Sequence, residues 1–255
     1  MEMKMLFMGR KKSAAEMLEW TISQGIEIVG VVTDSHIPSS PTKAVAEQYH
    51  LPIMTMEEAE DAFAKDKSFA DIVVSYLFWR KLKEPLISVP KYGCINFHPA
   101  ILPKYRGLAG YNIAILHQLH EWGATAHYVD TSIDTGAIIR VYKFNFDYRL
   151  ETAFSLEKKT LKIQQDLYKS VITDVKEKGV LQSQIQKDEE GVYINKQQML
   201  DMMKIVPGDD IDNKIQAFWF PPYSGAYVEL NGEKYTLVND FILNSLVSDD
   251  QTFQK

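Results

Sequence analysis

The chain has 255 residues, of which 45% are hydrophobic and 24% are charged, so it carries enough apolar material for a packed core. Its formal net charge of −6 argues against a nucleic-acid backbone as the main partner, because such binding usually needs a basic surface. One cysteine, Cys94, excludes an intramolecular disulfide and is expected to be a small buried side chain. No apolar run reaches the roughly 18 residues of a transmembrane helix, so we expect a soluble, cytoplasmic protein without a membrane partner.

Strands and helices alternate through the first hundred residues, each strand being rich in β-branched residues. Two segments have capping-box spacing, Ser13–Glu16 and Thr55–Glu58, and each predicts the start of a helix. This alternation predicts an α/β fold with a mostly parallel sheet covered by helices. The predicted strands are residues 3–8, 26–33, 70–77 and 93–98. Four helices are predicted in this part of the chain. The first begins at residue 13, the second and third span 42–49 and 55–63, and the fourth lies around 83–88.

The second half continues with helices at 108–119 and 152–178 and strands at 124–129 and 137–146. In the tail, Asn231-Gly232 lies between two alternating runs, a pattern that predicts a β-hairpin. We therefore expect two domains, a main one at 1–185 and a small α+β appendage at 186–255.

Polar side chains follow two predicted strands. Asn96 and His98 stand two residues apart at the end of a buried strand, so they point to the same side, and Pro99 ends the strand. Asp134 lies in an Asp-Thr-Gly turn after the strand predicted at 124–129. Ligands of such sheets bind beyond the carboxyl ends of the strands, where these side chains are expected.

An amide, an imidazole and a carboxylate together suit acyl transfer to an amine. Asn96 can donate a hydrogen bond to the oxygen that becomes negative, and one such donor is typically worth about 3–4 kcal/mol. His98 can stabilise the same oxygen or move the proton of the attacking amine, while Asp134 can orient a histidine or take a proton through water. Taken singly, each residue also has a structural interpretation: a satisfied histidine, a simple turn or a cap.

Three segments, Asn96–Gly107, Gly123–Asp130 and Ile133–Ile139, resemble the signature of the formyltetrahydrofolate-dependent formyltransferases. The resemblance implies a Rossmann-like sheet, N10-formyltetrahydrofolate as co-substrate, no metal, and a catalytic trio at Asn96, His98 and Asp134. It also implies that the loop at residues 78–82, after the strand predicted at 70–77, binds the folate through its backbone, with residues 130–134 as the other wall. The folate-site residues implied in this way are Phe78, Trp79, Arg80, Lys81, Asp130, Ile133 and Asp134.

Within that family, the version Arg106-Gly107-Leu108-Ala109-Gly110 and the aromatic segment 215–226 are similar to the sugar N-formyltransferases. The tRNA enzymes are expected to be longer and the purine-pathway enzyme to lack this tail. The similarity implies a dTDP-linked 4-amino- or 3-amino-dideoxyhexose as acceptor, a bacterial glycan (O-antigen) pathway and a homodimer. The expected substrate-binding residues are Gly9, Arg10, Tyr105, Arg106, Trp219 and Tyr223.

Other functions stay open at this point. The same trio could serve a methionyl-tRNA formyltransferase or a formyltetrahydrofolate hydrolase, in which water replaces the amine. A protein of another class, a nucleotide-sugar- or folate-binding module without catalysis, would keep the fold but transfer nothing.

Overall fold

The protein is described here by a computed structural model, which covers residues 3–108, 110–187 and 191–246. The backbone forms two compact units that alternate along the chain. The first unit comprises the described residues of 1–106, 123–143 and 160–192, and the second comprises those of 107–122, 144–159 and 193–255. The predicted division after residue 185 stays a prediction about independent domains.

The described strands form a seven-stranded sheet and two small two-stranded sheets. The strands are β1 (Lys4–Gly9), β2 (Glu27–Val32), β3 (Ile53–Met54), β4 (Ile72–Tyr76), β5 (Cys94–His98), β6 (Tyr105–Gly107), β7 (Glu121–Tyr128), β8 (Ile138–Asn145), β9 (Val192–Ile194), β10 (Tyr227–Leu230) and β11 (Glu233–Thr236). The helices are α1 (Lys11–Ser23), α2 (Pro41–Gln48), α3 (Met56–Lys65), α4 (Gly110–Leu116), α5 (Ala153–Lys178), α6 (Lys196–Met202), α7 (Ile211–Phe218) and α8 (Asp240–Ser245), with a 3-10 turn at Tyr148–Leu150.

The large sheet has the order β3-β2-β1-β4-β5-β7-β8. Strands β3, β2, β1, β4 and β5 pair in parallel, whereas β7 pairs with β5 in antiparallel fashion. The predicted α/β fold with a mostly parallel sheet is therefore confirmed. Its parallel strands end on one edge, which brings the ends of β1, β4 and β5 together.

The core of the first unit lies on both faces of this sheet. Neighbouring residues such as Leu6 and Phe7, or Val73 and Val74, are fully buried and belong to separate apolar clusters. Successive side chains of a strand point to opposite faces, so a strand covered on both sides must be apolar throughout. Cys94 is buried in one of these clusters, as expected, and burial raises the pKa of its thiol.

The two capping-box predictions have different outcomes. Thr55 caps α3 as predicted: its hydroxyl accepts the Glu58 N–H, and the Glu58 carboxylate accepts the Thr55 N–H. The prediction at Ser13 is wrong, because α1 begins at Lys11 and Arg10 is its N-cap without a side-chain hydrogen bond. Ser13 instead lies inside the helix, buried, with its hydroxyl 3.0 Å from the Tyr76 hydroxyl.

The helix predicted around 83–88 is also absent from this described part of the chain. Residues 84–88 form turns, with hydrogen bonds from Leu86 N–H to the Lys83 carbonyl and from Val89 N–H to the Pro85 carbonyl. Pro85 and Pro90 have no N–H to donate, which removes donors that a helix would need.

The second unit contains α4, α7 and the predicted hairpin. The Asn112 side chain donates to the Ala217 carbonyl at 2.7 Å, and the Asn213 side chain donates to the Leu116 carbonyl at 3.1 Å, so two amides tie α4 to α7. Asn231 and Gly232 have φ of 52° and 82°, the conformation that a two-residue β-hairpin turn requires. Among the helices of the described ranges, none combines the length and apolarity that crossing a membrane would demand.

Candidate active site

The register of three adjacent strands builds the centre of the site. In the parallel pair β4–β5, Ser75 lies opposite Asn96, and in the antiparallel pair β5–β7, Asn96 lies opposite His127. His98, two residues further along β5, lies opposite Thr125. Directly paired residues share a face of the sheet, so these polar side chains converge by register alone.

His98 and Asp134 lie beside each other, as predicted. The distance from His98 Nδ1 to Asp134 Oδ2 is 3.5 Å, and their side chains are 9% and 11% exposed. His98 Nε2 is 2.7 Å from the Tyr105 carbonyl. A carbonyl only accepts, so Nε2 carries a proton and Nδ1 is the nitrogen that faces the carboxylate.

A second histidine, His127, faces the same carboxylate and was missed by sequence reasoning. Its Nε2 is 3.6 Å from Asp134 Oδ1 and 3.1 Å from Asn96 Nδ2, and its side chain is 3% exposed. The signal that could have found it is its spacing, because Thr125 and His127 alternate on one face of a strand next to Asn96.

The loop that carries Asp134 is held in an unusual conformation. Asp134 itself has φ of +56°, a left-handed value that is costly outside glycine. The loop then passes so close to β7 that a Cβ on Gly136 would lie 1.8 Å from the Tyr128 carbonyl oxygen, so only glycine fits. Gln186 donates to the carbonyls of Asp134 and Gly136 at 3.0 and 2.7 Å and thereby holds both ends of this turn.

Two buried side chains fix the end of β5. The Thr125 hydroxyl donates to the Ala100 carbonyl at 2.7 Å and accepts the Leu102 N–H at 3.1 Å, which anchors the loop after His98. Gln164 of α5, fully buried, donates to the Phe97 carbonyl at 2.6 Å. The strand end that presents Asn96 and His98 is thus held from both sides.

In the loop after β4, the side chains of Trp79 and Arg80 contact residues outside the loop. The Arg80 guanidinium pairs with Glu57 at 3.1 Å, and the Trp79 ring lies 5.2 Å from the Arg10 guanidinium. Leu77 begins the loop with φ of +54°. Within the described ranges, the backbone N–H groups of residues 78–82 donate to no protein acceptor.

In the other wall expected for folate, Asp130 folds onto its own loop. Its carboxylate accepts the Ser132 N–H at 3.0 Å and the Thr135 hydroxyl at 2.7 Å, so it shapes the turn before Asp134. Ile133 is 44% exposed. The folate-binding roles of these residues, and of Phe78, Trp79, Arg80 and Lys81, stay predictions.

The residues expected to bind substrate in the first unit have varied surroundings. Gly9 allows β1 to approach its neighbours, since a Cβ there would lie 3.0 Å from the Tyr76 carbonyl oxygen. Arg10 Nε donates to the Leu77 carbonyl at 3.3 Å. Burial raises the pKa of Tyr105. Arg106 is buried and donates to Gln186 at 3.1 Å, a contact that ties β6 to the Asp134 loop.

Trp219 and Tyr223 belong to the second unit. Trp219 follows α7 and its carbonyl accepts the Phe154 N–H at 3.1 Å. Tyr223 is 73% exposed, with its ring 6.1 Å from that of Phe220. Their roles in binding substrate stay predictions, as do those of the four residues in the first unit.

The arrangement offers donors and proton carriers around one carboxylate. Asn96 supplies an amide N–H, and two histidines present a ring nitrogen to Asp134. Across the described residues, no group of three His, Cys, Asp or Glu side chains has a geometry suited to a metal ion. The groups present suit stabilisation of a negative oxygen and transfer of a proton.

Solved structures with the same fold include three kinds of formyltransferase. An N-formyltransferase from Helicobacter canadensis, in complex with folinic acid and dTDP-3-aminofucose, matches with a TM-score of 0.73 at 25% identity and covers 91% of this chain and 86% of its own. A 4-N formyltransferase from Francisella tularensis matches with a TM-score of 0.77 at 20% identity, and the match covers 93% of this chain and 97% of that enzyme. The phosphoribosylglycinamide formyltransferase of Bacillus halodurans matches with a TM-score of 0.59 at 22% identity. This match covers 69% of this chain and 96% of that enzyme.

Curated relatives include methionyl-tRNA formyltransferases. That of Clostridioides difficile is 33% identical over 202 residues, which is 75% of this chain but 65% of the relative's length. That of Thermotoga neapolitana is 29% identical over 258 residues, covering 95% of this chain and 80% of the relative. The formyl transferase family itself matches residues 3–172, more than half of the chain. These similarities indicate an enzyme that transfers a formyl group, and the chain belongs to the formyl transferase family.

Proposed function

We propose that the chain moves a formyl group from N10-formyltetrahydrofolate to the amine of a nucleotide-linked amino-dideoxysugar, a dTDP-4-amino- or dTDP-3-amino-dideoxyhexose. The observation that carries the acceptor is the match to the Helicobacter canadensis enzyme, whose structure holds folinic acid and dTDP-3-aminofucose. That match extends over 91% of this chain, whereas the purine-pathway enzyme covers 69% of it.

The backbone after β4 suits the folate. Its N–H groups from 78 to 82 have no protein acceptor in the described ranges, while the side chains of Trp79 and Arg80 are engaged elsewhere. Recognition through main-chain groups tolerates the Phe-Trp-Arg-Lys sequence of this loop. When bound, the folate supplies the activated formyl carbon.

Asn96 and His98 act on the acceptor reaction from the end of β5. The Asn96 Nδ2–H group donates to the formyl oxygen as negative charge develops there. His98 Nε2–H is held by the Tyr105 carbonyl, so Nδ1 is the nitrogen that exchanges a proton with the Asp134 side, 3.5 Å away. Asp134 stabilises the protonated ring and takes up, directly or through water, the proton that the attacking amine releases. The bond between the formyl carbon and N10 of the folate then breaks, and the proton passes to N10, so that tetrahydrofolate leaves.

In the first unit, Arg10 is the residue that we propose for binding the diphosphate of the sugar nucleotide. Arg10 stands at the junction of β1 and α1, where backbone N–H groups favour anions, and suits a diphosphate. In the second unit, Trp219 and Tyr223 have rings of the kind that stack on a pyrimidine base, and such stacking is worth about 1–3 kcal/mol per base in nucleic-acid systems.

An aminoacylated initiator tRNA is the second candidate acceptor. The relatives at 33% and 29% identity favour it, since both are methionyl-tRNA formyltransferases. The net charge of −6 favours the small-molecule acceptor instead.

One experiment separates the candidates. The purified chain is mixed with N10-formyltetrahydrofolate and, in turn, each amino-sugar nucleotide, methionyl initiator tRNA, glycinamide ribonucleotide or buffer. Tetrahydrofolate release and the mass of each acceptor are measured. A formyl mass gain on an amino sugar supports the proposal, a gain on the tRNA overturns the sugar acceptor, and release with buffer alone indicates a hydrolase.

Two variants show whether the trio is responsible. His98→Asn should abolish most turnover while the protein stays folded. His50→Asn is the matched control, because His50 is exposed between α2 and β3, at the opposite edge of the sheet from the strand ends, and asparagine tolerates its φ of 53°. Equal turnover in the two variants would refute the role of His98.

A further inference from the structure

A row of hydrogen bonds runs across the sheet through Asn96. The Ser75 hydroxyl donates to Asn96 Oδ1 at 2.8 Å, and Asn96 Nδ2 lies 3.1 Å from His127 Nε2. Ser75 and His127 are 5% and 2% exposed, so water does not readily replace either partner. The three residues occupy one register level of β4, β5 and β7.

The Tyr128 carbonyl decides the direction of this row. His127 Nδ1 is 2.7 Å from that carbonyl oxygen, and a carbonyl only accepts, so Nδ1 carries the proton. In the neutral ring Nε2 is then an acceptor, and the group facing it must be the Asn96 NH₂ rather than the Asn96 oxygen. Asn96 Oδ1 is consequently turned to Ser75, whose hydroxyl has a proton to donate.

We infer that Ser75 and His127 are positioning residues that fix the orientation of the Asn96 amide. This inference rests on the proposed function, in which Asn96 donates to the formyl oxygen. His127 uses one of the two Nδ2 hydrogens, and the other has no acceptor in the described part of the chain. That second N–H is the one that meets the formyl oxygen. A reversed amide would present a carbonyl oxygen there and repel the developing charge.

The two active-site histidines therefore carry opposite tautomers. His98 is protonated on Nε2, which donates to Tyr105, and His127 is protonated on Nδ1, which donates to Tyr128. While both rings are neutral, the unprotonated nitrogen of each is the one nearer Asp134, at 3.5 and 3.6 Å, and it is the position that a proton would occupy beside the carboxylate. Protonation of His127 would place an N–H where Asn96 donates, so the neutral ring is the form that holds the amide.

The tautomers are measured directly by two-bond ¹H–¹⁵N spectra of the ¹⁵N-histidine-labelled protein at mildly alkaline pH. The chain has six histidines, and the His127 signals are those that disappear in His127→Gln. We expect a protonated Nδ1 and an unprotonated Nε2 for His127, the reverse of His98. An Nε2-protonated His127 overturns the inference. The experiment needs no substrate, so it is decided even if the proposed acceptor is wrong.

Kinetics of four variants with the active acceptor test the consequence. Ser75→Ala should lower kcat by about 2- to 10-fold with little change in either KM, the loss expected for one neutral hydrogen bond. His127→Leu leaves Asn96 Nδ2 without its acceptor and should lower kcat by about 10- to 100-fold. His127→Gln restores an acceptor oxygen near the Nε2 position and should recover most of that loss.

Ser13→Ala is the matched control. It removes another buried hydroxyl from the same unit, one that contacts Tyr76 instead of Asn96. It should reduce thermal stability about as much as Ser75→Ala and leave kcat unchanged. Equal kcat in Ser75→Ala and Ser13→Ala, or a His127→Gln variant no better than His127→Leu, would overturn the positioning role.

Discussion

Replacement of Asp134 by asparagine tests the electrostatics of the site. The change keeps the shape of the side chain and removes one negative charge from between His98 and His127. At 3.5 Å and an effective dielectric constant of about 20, a carboxylate stabilises a protonated imidazole by roughly 5 kcal/mol. The amide dipole recovers part of this, so we expect kcat to fall about 100- to 1,000-fold in Asp134→Asn.

The assay is tetrahydrofolate release at saturating donor and acceptor, with the formylated product confirmed by mass. Asp174→Asn is the control, because the Asp174 carboxylate is also largely buried, at 16% exposure, and is paired with Arg140 at 2.6 Å. That variant should lose stability and keep its kcat. If Asp134→Asn keeps kcat within about threefold of the wild type, a change under 1 kcal/mol, the charge is not needed and the reasoning fails.

Three further predictions concern the scaffold. Gly136→Ala should cost about 2 kcal/mol or more and abolish turnover, because its Cβ would lie 1.8 Å from the Tyr128 oxygen; chemical denaturation checks this, with Gly225→Ala, whose Cβ would make ordinary contacts, as the near-neutral control. Thr55→Ala should lower the free energy of unfolding by about 1 kcal/mol, since α3 loses its cap, and a loss near zero would contradict that. Hydrogen bonds from a lysine and an arginine hold the pKa of Asp174 below its ordinary 3.8. Its stabilisation is therefore complete above pH 3.8 and lost as the pH falls through the lowered pKa, so thermal melts of wild type and Asp174→Asn should converge in acid.

Much of the sheet could be predicted because its strands are short apolar runs bounded by turn residues. The alternation of these runs with amphipathic segments also predicted the order of most strands and helices, although not the turns at 84–88. Sequence reasoning failed where a residue pattern allowed two structures. Ser13 fits a capping box, but its burial against Tyr76 makes it a helix-interior residue. Such tertiary contacts override a local pattern that is worth about 1 kcal/mol.

The sequence predicted the three candidate catalytic residues, but it did not predict the residues that hydrogen-bond to them or to their loop. Asn96 and His98 could be paired because the strand period of two is a local property. His127 and Ser75 join them only through the register of β4, β5 and β7, which joins residues 21 and 31 positions apart along the chain. Gln186, which holds the carbonyl of Asp134 from 52 positions away, has no local signature at all.

Register also explains why an Asn-His-Asp trio needs two further polar residues. An asparagine amide is ambiguous, since its oxygen and nitrogen exchange places by a half turn at little steric cost. Catalysis by an N–H donor requires one orientation, so the strand on each side of Asn96 must contribute an unambiguous partner. A serine hydroxyl that donates and a histidine nitrogen that accepts meet that requirement, and the Tyr128 carbonyl removes the ambiguity of the histidine in turn. The direction of the whole row is therefore set by a backbone carbonyl, acting through the neutral His127 ring.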